Sequence, residues 1–233
     1  MTYLAEIGRM RHIQALAKDV LVDLAAQLRP DDSEQSVVHR AKELLARRGI
    51  SQTWYHSCPA LVLLGSRSCL SLSGRHYLPT AEVVGDHNLV TVDLSPLKEG
   101  VCGDYARSFF VENGRVTDVP DDADFAVGQR FLRQVHRDMM RYVRPSTTMH
   151  ELFIFSKQCI EDARFENLDF HGNVGHSMPV AGVRHSIEEG NQRALGDVGP
   201  FTFEPHVRQK DGRWGFKHEN IYFFRSSGEV EEL

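Results

Sequence analysis

Apolar residues recur at helical spacing over residues 5 to 28, where Ile7, Met10, Ile13, Leu16, Val20, Leu21, Leu24 and Leu28 share one face. That period predicts an amphipathic helix. Arg29-Pro30-Asp31-Asp32 ends it, and Ser33 opens a second helix over 34 to 49 with Val37, Val38, Ala41, Leu44 and Leu45 as its stripe and Gly49 as its stop. The design returns between residues 124 and 163. Phe125, Phe131, Leu132, Val135, Met139 and Val143 form a stripe, Arg144-Pro145-Ser146-Thr147-Thr148 breaks the chain, and Leu152 to Ala163 resumes as helix. Setting Arg29-Pro30 on Arg144-Pro145 gives an offset of 115 residues, which also lays Val37 on Leu152, Val38 on Phe153 and Leu45 on Ile160. The chain therefore reads as a single domain over 1–233 made of two matched halves, about 5–118 and 120–228. Each half is a helix pair followed by strands, an α+β duplication.

The segments after each helix pair are extended. Strands are expected near 59–64 and 68–72, then over 88–94 and 105–111. In Val90-Thr91-Val92-Asp93-Leu94 the alternation puts Thr91 and Asp93 on one face and the apolar residues on the other. Phe201-Thr202-Phe203-Glu204 repeats the pattern with Glu204 in the polar role, and Glu219 opens a further strand running to Phe224. The stretches 96–103 and 209–215 carry the Gly and charged residues of turns.

Composition narrows the class without naming a chemistry. With 41% hydrophobic and 25% charged residues the chain can bury a core unaided. A net charge of -5 gives no basic field for a nucleic acid, so that partner is not expected. Cys58, Cys69, Cys102 and Cys159 form no CxxC pair and read as reduced thiols. No apolar run is long enough for a membrane span, and Glu6, Arg9, Arg11, Lys18 and Asp19 occupy the region where a signal peptide needs apolar residues. A cytoplasmic protein with no membrane partner is expected, and its apolar helix faces permit a homodimer.

Acids inside apolar strands are the anomaly. Taken singly, each is explained by a strand end facing water. Together they are not, because Asp93, Glu204 and Glu219 each lie beside β-branched or aromatic residues expected to be buried. Gathered carboxylates repel one another and take up protons unless a cation sits among them. Four carboxylates and one imidazole balance two divalent ions and suit Mn, Co, Fe or Zn.

The motifs Val92-Asp93-Leu94-Ser95-Pro96, Gly103-Asp104-Tyr105-Ala106-Arg107-Ser108-Phe109, Val174-Gly175-His176-Ser177, Phe203-Glu204-Pro205 and His218-Glu219-Asn220 resemble, in order, the ligand motifs of one metallopeptidase family. That family includes methionine aminopeptidase, Xaa-Pro aminopeptidase and prolidase, and it shares the pita-bread fold. The eleven-residue step from Asp93 to Asp104 is the family's spacing. The resemblance implies that Asp93 chelates one ion, that Asp104 and Glu219 bridge both, and that His176 and Glu204 complete the other's shell. It also implies that Glu204 shuttles the proton of an activated water.

Outer histidines are then expected to meet substrate. His76 lies 17 residues before Asp93, the family's place for a substrate-contacting histidine, with His56 in Trp54-Tyr55-His56 as its rival. His185 follows His176 by nine residues where the family's gap to the histidine that steadies the tetrahedral intermediate is seven. Two extra residues within 178–184 would have to loop out. His171 precedes His176 by five where proline-directed members have four. The expected activity is dinuclear metal-dependent cleavage of an amide bond in a small peptide, most simply as an Xaa-Pro type aminopeptidase or dipeptidase. Alternatives are a methionine aminopeptidase and a hydrolase of a small non-peptide amide or cyclic amidine; a non-catalytic binding protein ranks below these. No separate N-terminal domain of the kind prolidases carry is expected ahead of the first helix.

Overall fold

A computed structural model describes residues 3–178 and 183–233. The first half opens with α1 (Tyr3–Gln27) and α2 (Glu34–Arg47), followed by β1 (Gln52–Thr53), β2 (Leu61–Leu64), β3 (Asn88–Leu94), β4 (Pro96–Lys98), β5 (Val101–Cys102), β6 (Tyr105–Glu112) and β7 (Arg115–Thr117). The second half runs through α3 (Ala123–Tyr142), α4 (Met149–Asp162), β8 (Phe165–Asn167), the short α5 (Leu195–Val198), β9 (Phe201–Phe203), β10 (His206–Gln209), β11 (Gly215–Phe224) and β12 (Val230–Glu232).

The helix pairs begin alike for a physical reason. Ser33 and Thr148, 115 residues apart, both cap a second helix through a reciprocal capping box, in which the hydroxyl accepts from the amide three residues on. Each cap residue also makes an isolated antiparallel bridge, Ser33 to Val83 and Thr148 to Ala194. The duplicated architecture is thus anchored at matching points.

All named strand pairings are antiparallel, and the main sheet runs β2-β3-β6-β11-β10-β8. The ten-residue β11 joins the halves: β6 and β10 pair with its first part, β9 and β12 with its last. One face of the sheet is covered by helices. Val90, Val92 and Leu94 pack there with Leu21, Leu24 and Leu44 from the first pair, while Phe201, Phe203 and Tyr222 join Leu132, Met139 and Leu152 from the second. Period-two alternation leaves Thr91 and Asp93 on the opposite, open face.

Two expected boundaries shift. The strand placed at 68–72 is instead a 3₁₀ turn over Gly65–Cys69, entered by Gly65 at φ +54°, followed by irregular chain. Glu219 lies in the middle of β11, which starts four residues earlier at Gly215.

Candidate metal centre

Sheet register assembles the centre. Ala106 on β6 is the register partner of Asp93 on one side and of Glu219 on the other, so Asp93, Ala106 and Glu219 form one row on the open face. Asp104 stands two residues before Ala106 and shares its face. The next row contains Thr91, paired with Ser108, and Lys217, paired with His206. Ser108 stitches this row together, because its Oγ accepts from the Lys217 amide at 2.9 Å and donates to the Lys217 carbonyl at 3.3 Å.

Three further contacts set the remaining groups. Buried Gln14 of α1 clamps the backbone of Asp104, donating to its carbonyl at 2.6 Å and accepting from its amide at 2.9 Å. Gly175, at φ +153°, lets the chain approach Thr202 so closely that a Cβ would stand 2.3 Å from the Thr202 carbonyl oxygen. Thr202 in turn accepts from the His176 amide at 2.9 Å and donates to Glu204 Oε1 at 3.3 Å, so one hydroxyl orients two expected ligands. The edge of Trp54 packs on the His176 ring at 5.7 Å between centroids.

The ligating atoms of Asp104, His176 and Glu219 lie within 4.8 Å of one another. His176 Nε2 is 3.4 Å from Asp104 Oδ2 and 3.5 Å from Glu204 Oε1. Asp93 Oδ2 pairs with Lys217 Nζ at 2.5 Å. Both carboxylate oxygens of Glu219 are buried without a hydrogen-bond partner. Among buried side chains that is a costly arrangement unless a cation completes it.

The electrostatics carry the same strain. Burial, then the charges of Asp104 and Glu204, push the Glu219 carboxyl well above its ordinary range. Burial raises Asp104 to about 6 against the lowering hydrogen bond from His176. Burial opposes protonation of His176, but the hydrogen bond to Asp104 and the charges of Glu204 and Asp104 carry it above the ordinary imidazole value. Glu204 goes the other way: burial would raise it, yet Lys217 and His176 together hold it below its usual value. The cluster gathers positive charge, and it takes up protons where a divalent cation could stand.

A cavity of about 640 Å³ opens over these groups. One wall is apolar, with Leu61, Leu63 and Leu70, and the mouth carries His56, Arg75, His76, His171 and Arg184. Arg75 Nε donates to His56 Nδ1 at 3.2 Å, and slight burial together with Arg75, Arg184 and His76 lowers the His56 imidazole. Of the expected outer histidines, His76 and His171 thus line the cavity. His185 does not: Arg184, Ser186 and Glu188 border both the cavity and an adjoining shallow depression, and His185 lines only the depression. The bridge between His176 and Ser186 explains this, since alternation about Ser186 turns His185 away. The insertion expected to loop out there falls largely on residues 179–182, outside the described residues.

Lys217, Gln14 and Thr202 were not among the expected site residues. Lys217 had a readable signal, a charged residue two positions before Glu219. Because β11 begins at Gly215 and not at Glu219, the two residues share one strand face. Gln14 gave only a polar residue on an apolar helical face, which does not say what it clamps.

The fold and site define a metallopeptidase-like catalytic domain. The chain belongs to metallopeptidase family M24, whose model matches residues 8–225. Its fold is similar to X-Pro aminopeptidase from Thermotoga maritima, at 16% identity and a TM-score of 0.77 over 98% of this chain and 60% of that one. Similar too are the prolidase from Pyrococcus horikoshii OT3 (15%, TM-score 0.78, 98% and 61%) and dipeptidase PepE from Mycobacterium ulcerans (20%, 0.75, 98% and 57%). The chain thus spans about three-fifths of the length of these structures. A search among curated proteins finds no match. The α+β, pita-bread expectation holds. No helix among the described residues is long and apolar enough to cross a membrane.

Proposed function

We propose that this chain is a metal-dependent hydrolase that cleaves an amide bond in a short peptide, as an Xaa-Pro type dipeptidase or aminopeptidase. The observation that carries the reading is the buried Glu219 carboxyl, neither oxygen of which has a hydrogen bond, set beside Asp104 and His176. Two carboxylates and an imidazole, with Glu204 beside them, are a donor set that fits Mn, Co, Fe or Zn. Asp104, His176 and Glu219 would hold the ion, Glu204 would complete its shell, and Asp93 would complete the five-residue set that two ions need. A divalent ion there supplies Lewis-acid polarisation of the scissile carbonyl and makes a water more acidic.

The remaining work falls to side chains. Glu204, kept ionised by Lys217 and His176, accepts the proton of the attacking water and returns it to the departing amine nitrogen. His76 and His171, which line the cavity, would meet a substrate's polar groups. Arg75 and Arg184, exposed residues of the cavity lining, supply positive charge near the acidic floor. A dipeptide fits this polarity, with its free carboxylate at the basic mouth, and a longer peptide loses that match.

The test is a hydrolysis screen of metal-stripped protein reloaded with Mn, Co or Zn, over Xaa-Pro and Met-Xaa dipeptides, their C-terminal amides, longer peptides, and cyclic and acylated amino acids. The highest kcat/KM is expected on an Xaa-Pro dipeptide, falling at least about tenfold on amidation, the loss of one charge-assisted contact. Absence of hydrolysis across the panel with every metal would overturn the reading.

A further inference from the structure

The row of β11 that presents Glu219 also presents Lys217, because residues two apart share a strand face. The Lys217 ammonium is 2.5 Å from Asp93 Oδ2, 3.2 Å from Glu204 Oε2 and 3.6 Å from Glu219 Oε2. It therefore stands among three of the four carboxylates from which a two-ion centre would be built. Its side chain is only 15% exposed, and Ser108 bonds both its amide and its carbonyl. The lysine is seated by the sheet and is not a surface side chain that has strayed inward.

The five expected ligands thus divide into two environments. Around Asp104, His176 and Glu219, the ligand atoms converge and both Glu219 oxygens lack a hydrogen-bond partner. Around Asp93, an ammonium already supplies the positive charge. A divalent ion entering beside Asp93 would meet a resident cation at close range, and evicting that cation would cost the ammonium its ion pairs with Asp93 and Glu204. The same ammonium stands farther from Glu219, at 3.6 Å, than from Asp93 and Glu204, so an ion at Asp104, His176 and Glu219 meets weaker opposition.

We infer that this chain binds one divalent ion, between Asp104, His176 and Glu219, and that the Lys217 ammonium replaces the second ion against Asp93 and Glu204. The inference rests on the metal-site reading proposed above and departs from the two-ion stoichiometry that the ligand motifs imply. Asp93 then serves as the lysine's counter-ion, and Lys217 is a positioning residue that fixes the ion count. Its charge also keeps Glu204 paired from the side opposite His176.

The test is metal stoichiometry. Metal-stripped wild type and Lys217→Met, which removes the charge but keeps most of the stem, are titrated with Mn and Co by calorimetry and by equilibrium dialysis with elemental analysis. Wild type should bind one ion per chain, with the uncoupled hyperfine pattern of isolated Mn in its electron paramagnetic resonance spectrum. Lys217→Met should bind two, the second at least about tenfold tighter than any second ion in wild type. Two ions of comparable affinity in wild type, or one in Lys217→Met, would overturn this inference and leave the metal site standing. No bound ion in wild type would remove the metal reading and this one with it. If Lys217→Met does not fold, Asp93→Asn decides: one ion bound within about threefold of wild-type affinity supports a counter-ion role, and loss of that ion refutes it.

Discussion

The two faces of β6 and β11 handle buried polarity in opposite ways. On the helix-covered face, Arg107 donates to the carbonyls of Ala106 and Glu219 at 2.7 and 2.6 Å and to Asn220 Oδ1 at 2.6 Å, and its guanidinium lies 4.0 Å above the Tyr105 ring. His136 shares hydrogen bonds with the Tyr222 hydroxyl at 2.7 Å and the His218 carbonyl at 3.1 Å. Burial, with help from Arg107, drives the His136 imidazole down to about 3, so it stays neutral. Every one of these groups has a partner. On the open face, one residue away along the same strands, Glu219 has no hydrogen bond to either oxygen. A finished network serves structure, whereas an unfinished one of high charge marks a place for a ligand.

Substitutions should separate the faces. The largest effect is expected at Glu204, where Glu204→Gln would remove the proposed proton shuttle and should lower kcat by about 10²–10⁴-fold in a steady-state assay while the protein remains folded. Wild-type turnover would take Glu204 out of the chemistry. Glu219→Gln should weaken metal binding by more than about 100-fold, beyond what changes outside the ligand shell produce. It should leave the stability of the metal-free protein equal or higher, because a buried carboxyl that no hydrogen bond satisfies and that burial disfavours in its ionised form has gone. Arg107→Met on the other face should do the reverse. It leaves the Glu219 carbonyl and Asn220 short of donors and costs about 2–3 kcal/mol in denaturant unfolding, with metal affinity changed far less than by Glu219→Gln. If both variants lost metal and stability alike, the two faces would not be distinct. The smallest effect is expected for Gln14→Ala, which frees the backbone of Asp104 without touching a ligand and should weaken metal binding by about tenfold.

Much of this organisation was legible in the residues. Helical periodicity and the repeated Arg-Pro break gave both helix pairs, and the alternation in 90–94 placed Asp93 on the open face. Local pattern carries such features because helix and strand periods are properties of a short segment. What it could not carry was register across strands. That Ala106 separates Asp93 from Glu219, and that Lys217 reaches Asp93 from 124 residues away, follows from the pairing of β3, β6 and β11. The same limit affected His185. Spacing from His176 does not set direction: the bridge at Ser186 leaves that side chain off the cavity, which Arg184 lines instead.

The central claim is that the open face is completed by a divalent cation, and metal-dependent thermal unfolding tests it most directly. Burial holds Asp104 above its ordinary value, at about 6. In the metal-free protein its protonated form is therefore favoured by folding, and the associated stability is present below the ordinary carboxylate range and lost as pH rises through about 6. A metal ion competes with that proton, so its stabilising effect should be small at pH 5 and large at pH 8. Metal-stripped protein titrated with Mn at pH 8 should show Tm rising with metal concentration, equivalent to about 2.7 kcal/mol at one hundred times Kd, and Glu219→Gln should abolish the rise. A Tm that does not move with Mn or Co at pH 8, or that rises equally in Glu219→Gln, would contradict it.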